Sequence, residues 1–329
     1  MASIKDVARL ANVSISTVSL AYNQPARVLA HTRAAIFDAA KQLGYSPSNR
    51  AAAMPRQKSV MMLLPDMRET HVPSVQGVQD TCITLGLNLL PLVCPAMQVG
   101  RMYAALEHAI EQRRVAGIIV AGDGVPSLVR AADENGVPMV FMMRPFTEPN
   151  RAEIVINNRK VGMDMAGHLI RNGYTSIAVV GGPAGHHRIE GLEEALGQQG
   201  ITIYNENGWM DAAIQIDDCA GAYAFISNVL STQQNLPDAI FCITDMIALG
   251  VLSALQSYEL RVPGDIAVAG CEDIHISRIT EPQLTSVEFP RYEQGVQAAL
   301  LINRMINGRP AEQILLDCKL VERASTRRR

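Results

Sequence analysis

The sequence predicts an all-α helix-turn-helix head joined to a larger α/β body of two lobes built on parallel, doubly wound sheets. Three observations predict it. The first 44 residues place apolar side chains at helical spacing in three short segments; from Ser59 short apolar runs alternate with helical stretches; and 329 residues exceed one ordinary compact domain. At 48% hydrophobic and 19% charged, the chain has material for a buried core and is not a disordered polypeptide.

In the head, Ser3 and Asp6 have the spacing of a capping box, and Ile4, Val7, Ala8 and Ala11 form one stripe. The first helix is expected to end at Asn12, a residue that tolerates the left-handed conformation a tight turn needs. Ser14 is an N-cap residue for a second helix running to about Tyr22, with Val18 and either Ala21 or Tyr22 facing inward. A third helix is expected from about Thr32 to Leu43, where Ile36, Ala39, Ala40 and Leu43 share a face before Gly44 stops it. Pro47 breaks the chain. The segment from Ser48 to Met54, bounded by Pro55, can form about two helical turns with little to bury, and is marginal alone.

In the body, strands are expected at Val60–Leu64, Leu87–Leu92, Gly117–Ala121, Pro138–Met142, Ile177–Gly181, Ala239–Ile243 and Ile266–Gly270. Strand–helix alternation at this spacing argues for parallel sheets covered on both faces. Arg327-Arg328-Arg329 reads as a frayed basic tail.

Charge is distributed unevenly. Residues 1–58 hold eight Lys and Arg against two Asp, a balance of +6, so the remainder carries −9 within a net charge of −3. A basic head on an acidic body suits contact with nucleic acid at one end. Six cysteines without a C-x-x-C pair read as reduced, buried thiols, and adjacent His186 and His187 read as loop residues, so no metal is expected. The opening residues lack the pattern of an export signal and no run of 18 apolar residues occurs, so a cytoplasmic chain without a membrane partner is expected. G-x-G-x-x-G, the phosphate-loop pattern, H-E-x-x-H and G-x-S-x-G are all absent, so neither an enzyme nor a cofactor is expected.

The second helix carries the chemistry. Opposite Val18 lie Ile15, Ser16, Ser19, Leu20 and Asn23, with Ser14 and Thr17 in its first turn. Hydroxyls at a helix N-terminus favour phosphate contacts, and the first turn and a half of a recognition helix reaches base edges. Ile15 and Leu20 read as exposed on that face, poor surface residues that suit thymine methyl groups.

The run Ser3-Ile4-Lys5-Asp6-Val7-Ala8-Arg9-Leu10-Ala11-Asn12-Val13-Ser14-Ile15-Ser16-Thr17-Val18-Ser19 resembles the opening of the lactose-repressor/galactose-repressor family of bacterial regulators. The resemblance continues through Leu43-Gly44-Tyr45, Thr244-Asp245-Met246-Ile247-Ala248, Leu260-Arg261-Val262-Pro263-Gly264-Asp265 and Leu320-Val321-Glu322-Arg323-Ala324-Ser325-Thr326, and so covers essentially the whole chain. It implies a repressor acting as a homodimer on a near-palindromic double-stranded operator, under allosteric control by a small-molecule effector, a sugar or sugar derivative. It also implies a periplasmic-binding-protein-like body with the effector between the lobes. The expected division is 1–46 for the head, 47–58 for a hinge, and 59–329 for the body. Within the body, the first lobe is about 59–155 and 287–317, the second about 156–286 and 318–329.

By the same resemblance Asn49 and Arg50 of the hinge contact DNA, and Met54 stands where the family has a wedging leucine. Arg188 matches an arginine that grips the effector, Asp245 an acceptor of its hydroxyls, Asp273 the second of an acidic pair with Glu272, and Trp209 an aromatic that stacks on a sugar face; by residue type alone Asp245 equally suits a helix cap, Arg188 a surface ion pair and Trp209 a core or surface aromatic. Asp66, Arg68, His71 and Asp123 follow strand ends, where open α/β sheets bind ligands.

Overall fold

The structure is a computed structural model that describes residues 3–23, 25–45, 58–94, 101–112, 114–122, 124–144, 150–182, 185–206, 209–213, 215–232 and 235–328. The chain forms two compact units, Met1–Gln57 and Lys58–Arg329.

In the first unit, α1 (Ile4–Leu10), α2 (Ile15–Asn23) and α3 (Ala30–Gln42) enclose Val7, Ala8, Val18, Ala21, Ile36, Ala39 and Ala40. Asp6 secures the start of α1 by accepting from the Ser3 backbone N–H at 2.9 Å and the Ser3 hydroxyl at 2.7 Å. Helices α1 and α3 stop in the same way. At the end of α1, Asn12 takes φ +49° and the Val13 N–H returns to the Ala8 carbonyl at 3.0 Å; after α3, Gly44 takes φ +59° and Tyr45 N–H reaches Ala40 at 2.8 Å. Asparagine does at the first turn what glycine does at the second. The third helix begins two residues before the expected Thr32, with Leu29 as an N-cap that offers no side-chain acceptor. A 3-10 turn at Pro25–Arg27 leads into it, and Arg33 donates to the Pro25 carbonyl at 2.8 Å.

The second unit begins with β1 (Ser59–Leu64), α4 (Val72–Thr84), β2 (Asn88–Val93), α5 (Arg101–Glu111), β3 (Gly117–Ala121), α6 (Pro126–Glu134), β4 (Met139–Met142) and β5 (Ala152–Ile156). There follow α7 (Asn158–Arg171), β6 (Ile177–Val180), α8 (His186–Gly197), α9 (Trp209–Ala213), α10 (Cys219–Thr232), β7 (Ala239–Cys242), α11 (Asp245–Ser257) and β8 (Ala267–Ala269). The chain closes with β9 (Ser286–Glu288), α12 (Arg291–Ile306), β10 (Gln313–Leu316) and β11 (Lys319–Val321).

Six strands form one parallel sheet in the order β10-β5-β4-β3-β1-β2. Strand alternation supplies a core on each face: Val60, Met62 and Leu64 pack with Ala298 and Ile302 of α12, while Met61 and Leu63 pack with Ile110 of α5 and Leu128 of α6. A second parallel sheet, β6-β7-β8, anchors a separate core that includes Tyr174, Leu192 and Phe241. Strands β9 and β11 pair antiparallel. The chain passes between the two lobes three times, after β5, between β9 and α12, and between β10 and β11.

The sequence reading missed β5, β9, β10 and β11. In β5 the polar Glu153 interrupts the apolar run, yet it is fully buried, held by Arg144 at 3.0 Å and Gln313 at 2.8 Å. Strands β9 and β11 have three residues each, too short for a periodic signal. The expectation of a frayed basic tail fails at Arg328, which donates to the Gly173 carbonyl at 2.6 Å and lies 4.2 Å over the Tyr174 ring.

Candidate functional site

In the head, the Ser14 hydroxyl accepts from the Thr17 N–H at 3.1 Å, satisfying one of the free donors at the start of α2. It also lies 2.7 Å from the hydroxyls of Ser16 and Thr17, which draws three hydroxyls into one cluster on the first turn. Ile15 is 46% exposed, an unfavourable surface residue unless something covers it. Ser19 is half-buried, and so is Leu20, which packs against the three-helix core. The reading of Leu20 as a wholly exposed residue is thereby corrected: only part of it is free to meet a partner. Asn23 ends α2, and its side chain lies outside the described residues, as do Asn49, Arg50 and Met54 entirely.

In the body, a cleft of about 690 Å³ is lined by the segments that follow β1 and β8 and by the chain around β9, the start of α12 and the start of β11. Its walls include Glu69 and Thr70 from the first lobe, Glu272, Asp273 and Arg278 from the second, and Phe289 and Arg291 where the chain crosses between β9 and α12. Arg291 and Glu272 join across the cleft at 3.0 Å, both about 15% exposed at the side chain, and Glu69 accepts from the His275 N–H at 3.2 Å.

Arg188, on α8, is buried beside this wall. Its Nε donates to Asn158 at 2.8 Å, its Nη1 donates to the Ile243 carbonyl, and its guanidinium carbon lies 5.0 Å from the Phe289 ring centre. The Arg291 guanidinium is 4.9 Å from the same ring. Asp273 is buried too, paired with Arg323 at 2.6 Å and Arg278 at 2.9 Å.

His71 is buried below the strand end that carries Asp66, with Nε2 at 3.7 Å from that carboxylate and Nδ1 without a hydrogen-bond partner. Burial lowers its basicity more than Asp66 restores it, so the ring is neutral at pH 7. Asp66 turns back on Arg68, accepting from its N–H at 3.0 Å and pairing with its guanidinium at 2.9 Å. Arg68 itself is largely exposed. Asp123 lies outside the described residues.

Two expected effector contacts are overturned. Asp245, read as an acceptor of ligand hydroxyls, is wholly buried and already accepts three protein hydrogen bonds, from the Ser286 hydroxyl at 2.6 Å, the Ser277 hydroxyl at 2.7 Å and the Ile274 N–H at 2.9 Å. Burial lifts its carboxyl from the ordinary 3.8 to about 7, against the opposing pull of those bonds. Thr244, not Asp245, caps α11. Trp209, read as a sugar-stacking ring, is only 2% exposed in the core of the second lobe. There it packs edge-on against Tyr204 and Phe225 and donates to the Val179 carbonyl at 3.2 Å.

Phe289 and Arg291 escaped the sequence reading. Arg291 left one signal: a cation at the first position of a helix opposes the positive end of the helix dipole, a local conflict that often marks function. Among the described residues no cluster of three or more metal-ligating side chains occurs, and no helix is long and apolar enough to cross a membrane.

Residues 3–48 match the bacterial regulatory proteins of the lacI family, and residues 166–326 match a periplasmic binding protein-like domain. The transcriptional repressor PurR of Proteus mirabilis is 32% identical over 338 residues, covering 99% of this chain and 97% of that protein. The repressor CytR of Escherichia coli is 28% identical over 341 residues, with 99% and 96% covered. Among solved structures, a complex of the transcriptional regulator CelR with cellobiose superposes with a TM-score of 0.71 at 26% identity, covering 99% of this chain and all of that one. The lac repressor dimer bound to operator and the anti-inducer ONPF shares the fold, with a TM-score of 0.72 at 23% identity and 99% of each chain covered. A helix-turn-helix head with a capped second helix, a two-lobed body enclosing a cleft, and these matches along the whole length lead to one conclusion: the chain is a DNA-binding transcription regulator, not an enzyme, and belongs to the lacI family.

Proposed function

We propose that the chain is a transcriptional repressor that binds a near-palindromic operator as a homodimer and changes its DNA affinity when a small-molecule effector occupies the cleft. The observation that carries the reading is the presence in one chain of a DNA-reading helix, with three clustered hydroxyls and exposed Ile15, and a lobe-bridging cleft large enough for a monosaccharide or disaccharide. In this reading Ser14 and Ser19 approach phosphates, while Ile15, Ser16, Thr17, Asn23 and the free part of Leu20 face base edges. Asn49 and Arg50 contact the DNA backbone, and Met54 enters the minor groove. The named repressors among its relatives support the sign of regulation.

The cleft side of the reading rests on Arg188, Asp273, His71, Asp66 and Arg68, with Asp123 carried over from the sequence. A polyhydroxylated effector, a sugar or sugar derivative, suits walls rich in paired charges. Closure on it would rotate one lobe against the other and pass through the hinge to the two heads.

The test is selection of random duplexes by the full chain, followed by binding to the enriched sequence in a gel shift. A symmetric site is expected, with binding that weakens steeply as salt rises. Ile15→Glu, which places a negative charge on the DNA face, is expected to weaken binding by at least about tenfold. Enrichment of no sequence, or equal binding by the variant, refutes the assignment.

A further inference from the structure

Both walls of the cleft are acidic, and Arg291 joins them. Glu69 and Glu293 line it from the first lobe, and Glu272, Asp273 and Glu288 from the second. Arg291 opens α12, whose Ala298 and Ile302 pack on the first sheet, yet its guanidinium reaches the second lobe. There Nη2 donates to Glu272 at 3.0 Å, and the guanidinium carbon lies 4.9 Å from the centre of Phe289, a ring of the second lobe's core. The side chains of Arg291 and Glu272 are only 14% and 15% exposed, so water and salt screen the pair little. A second bond crosses beside it, from the His275 N–H to Glu69 at 3.2 Å.

The carboxylate that Arg291 meets stands on a strained backbone. Glu272 has φ +106° and Asp273 φ +49°, two successive residues on the positive side, neither of them glycine. The value at Glu272 lies beyond the small left-handed well open to a residue with a Cβ. Such a conformation persists only where its surroundings impose it. On the second-lobe side they are plain: the Asp273 N–H donates to Ser286 Oγ at 3.1 Å, its carboxylate pairs with Arg323 and Arg278, and the Ile274 N–H donates to Asp245 at 2.9 Å. From the opposite lobe come Arg291 on Glu272 and Glu69 on His275. The turn is therefore gripped from two bodies, and a change in the angle between them takes one grip away.

We propose that Arg291, Glu272 and Phe289 form a strained latch that fixes the angle between the lobes in the effector-free chain. Its release relaxes the turn at Glu272 and frees the lobes to rotate, and an occupant of the cleft that parts Glu272 from Arg291 triggers it. The link from latch to DNA affinity rests on the cleft being the effector site; the latch itself does not.

Hydrogen exchange of the full chain, read by mass spectrometry without effector or DNA, tests the latch. In Arg291→Met and in Glu272→Gln the amides of residues 69–72 and 272–278 are expected to exchange at least about tenfold faster than in the wild type, with β3 unchanged. The double variant is expected to exchange no faster than either single one, because both remove the same contact. Glu272→Gly also loses the latch but no longer strains the turn, so residues 272–278 should be accelerated less than in Glu272→Gln. Wild-type exchange in both folded single variants overturns the proposal. Acceleration that extends to β3 overturns it as well, since Arg291 would then serve the fold of the first lobe and not the angle between lobes. Equal acceleration in Glu272→Gly and Glu272→Gln overturns the strain. If Arg291→Met fails to fold, Glu272→Gln decides. Without effector, both single variants are expected to shift affinity for the selected duplex by at least about threefold in the same direction, and wild-type affinity in both overturns the coupling. A wild-type chain that selects no duplex refutes the repressor reading, and the exchange rates still decide the latch.

Discussion

Replacing Asp245 separates a structural carboxylate from a ligand-binding one. In Asp245→Ala the Ser277 hydroxyl, the Ser286 hydroxyl and the Ile274 N–H all lose their acceptor inside a closed environment. An orphaned buried donor costs about 1–3 kcal/mol; two of these are hydroxyls that can rotate, and burial of a carboxylate is relieved, so a net loss of about 3 kcal/mol is expected. Trp209 is the chain's single tryptophan and sits in the same lobe, so its emission during urea unfolding reports the affected core directly.

The pH dependence is a second signature of the same group. Its folded value of about 7 lies above the ordinary 3.8, so between those values the folded chain holds a proton that the unfolded chain has released. This contribution is fully present at low pH and is lost as pH rises from about 4 to 7, a change on the order of 4 kcal/mol. Asp245→Asn removes it. The stability of wild type minus that of Asp245→Asn should therefore fall across this window. An Asp245→Ala variant within about 1 kcal/mol of wild type, or a wild-type-minus-Asn difference that is flat with pH, refutes the reasoning.

Three further outcomes follow from the geometry. A Cβ at Gly162 would lie 1.9 Å from the Arg188 carbonyl oxygen, so Gly162→Ala must push α7 from α8; a loss of about 2–3 kcal/mol in urea unfolding is expected, with a weaker ligand response because Arg188 moves with its helix. Ser14→Ala removes the acceptor at the start of α2, which costs about 1 kcal/mol and should weaken duplex binding about fivefold in a gel shift while leaving the Trp209 unfolding midpoint unchanged. Trp209→Phe loses the bond to Val179 and part of the packing against Tyr204 and Phe225; it should lower stability by about 2 kcal/mol yet keep the effector-dependent change in DNA affinity, and abolition of that change in a folded variant would return Trp209 to the ligand site.

The head was legible because its signals are local. Capping at Ser3 and Ser14, and the left-handed turn at Asn12, depend on residues within a few positions of one another. The central strands were legible from their apolar runs. What the sequence hid depends on distant partners. Glu153 reads as a break until Arg144, just past β4, and Gln313 on β10 arrive beside it, and Asp245 reads as a ligand acceptor until Ser277 and Ser286 fold back on it. Trp209 offers the same residue type to a core and to a sugar; only tertiary packing chose. Arg291 carries no periodic signal, and its meaning comes from Phe289, Arg188 and Glu272 meeting around it.

The three passages between the lobes also set an order of events during synthesis. The first lobe lacks β10 and α12 until residues 291–316 have been made, although its first strand is among the earliest parts of the body to emerge. The second lobe waits longer still. Ser325 donates to the Val268 carbonyl and accepts from Thr285 N–H, while Thr326 meets His168 at 2.8 Å and takes the Tyr174 hydroxyl on its carbonyl. A chain interrupted before residue 323 would leave those buried groups open in a lobe that is otherwise fully translated. Neither lobe can finish ahead of the other by much, so the body is complete only when its last few residues have been made.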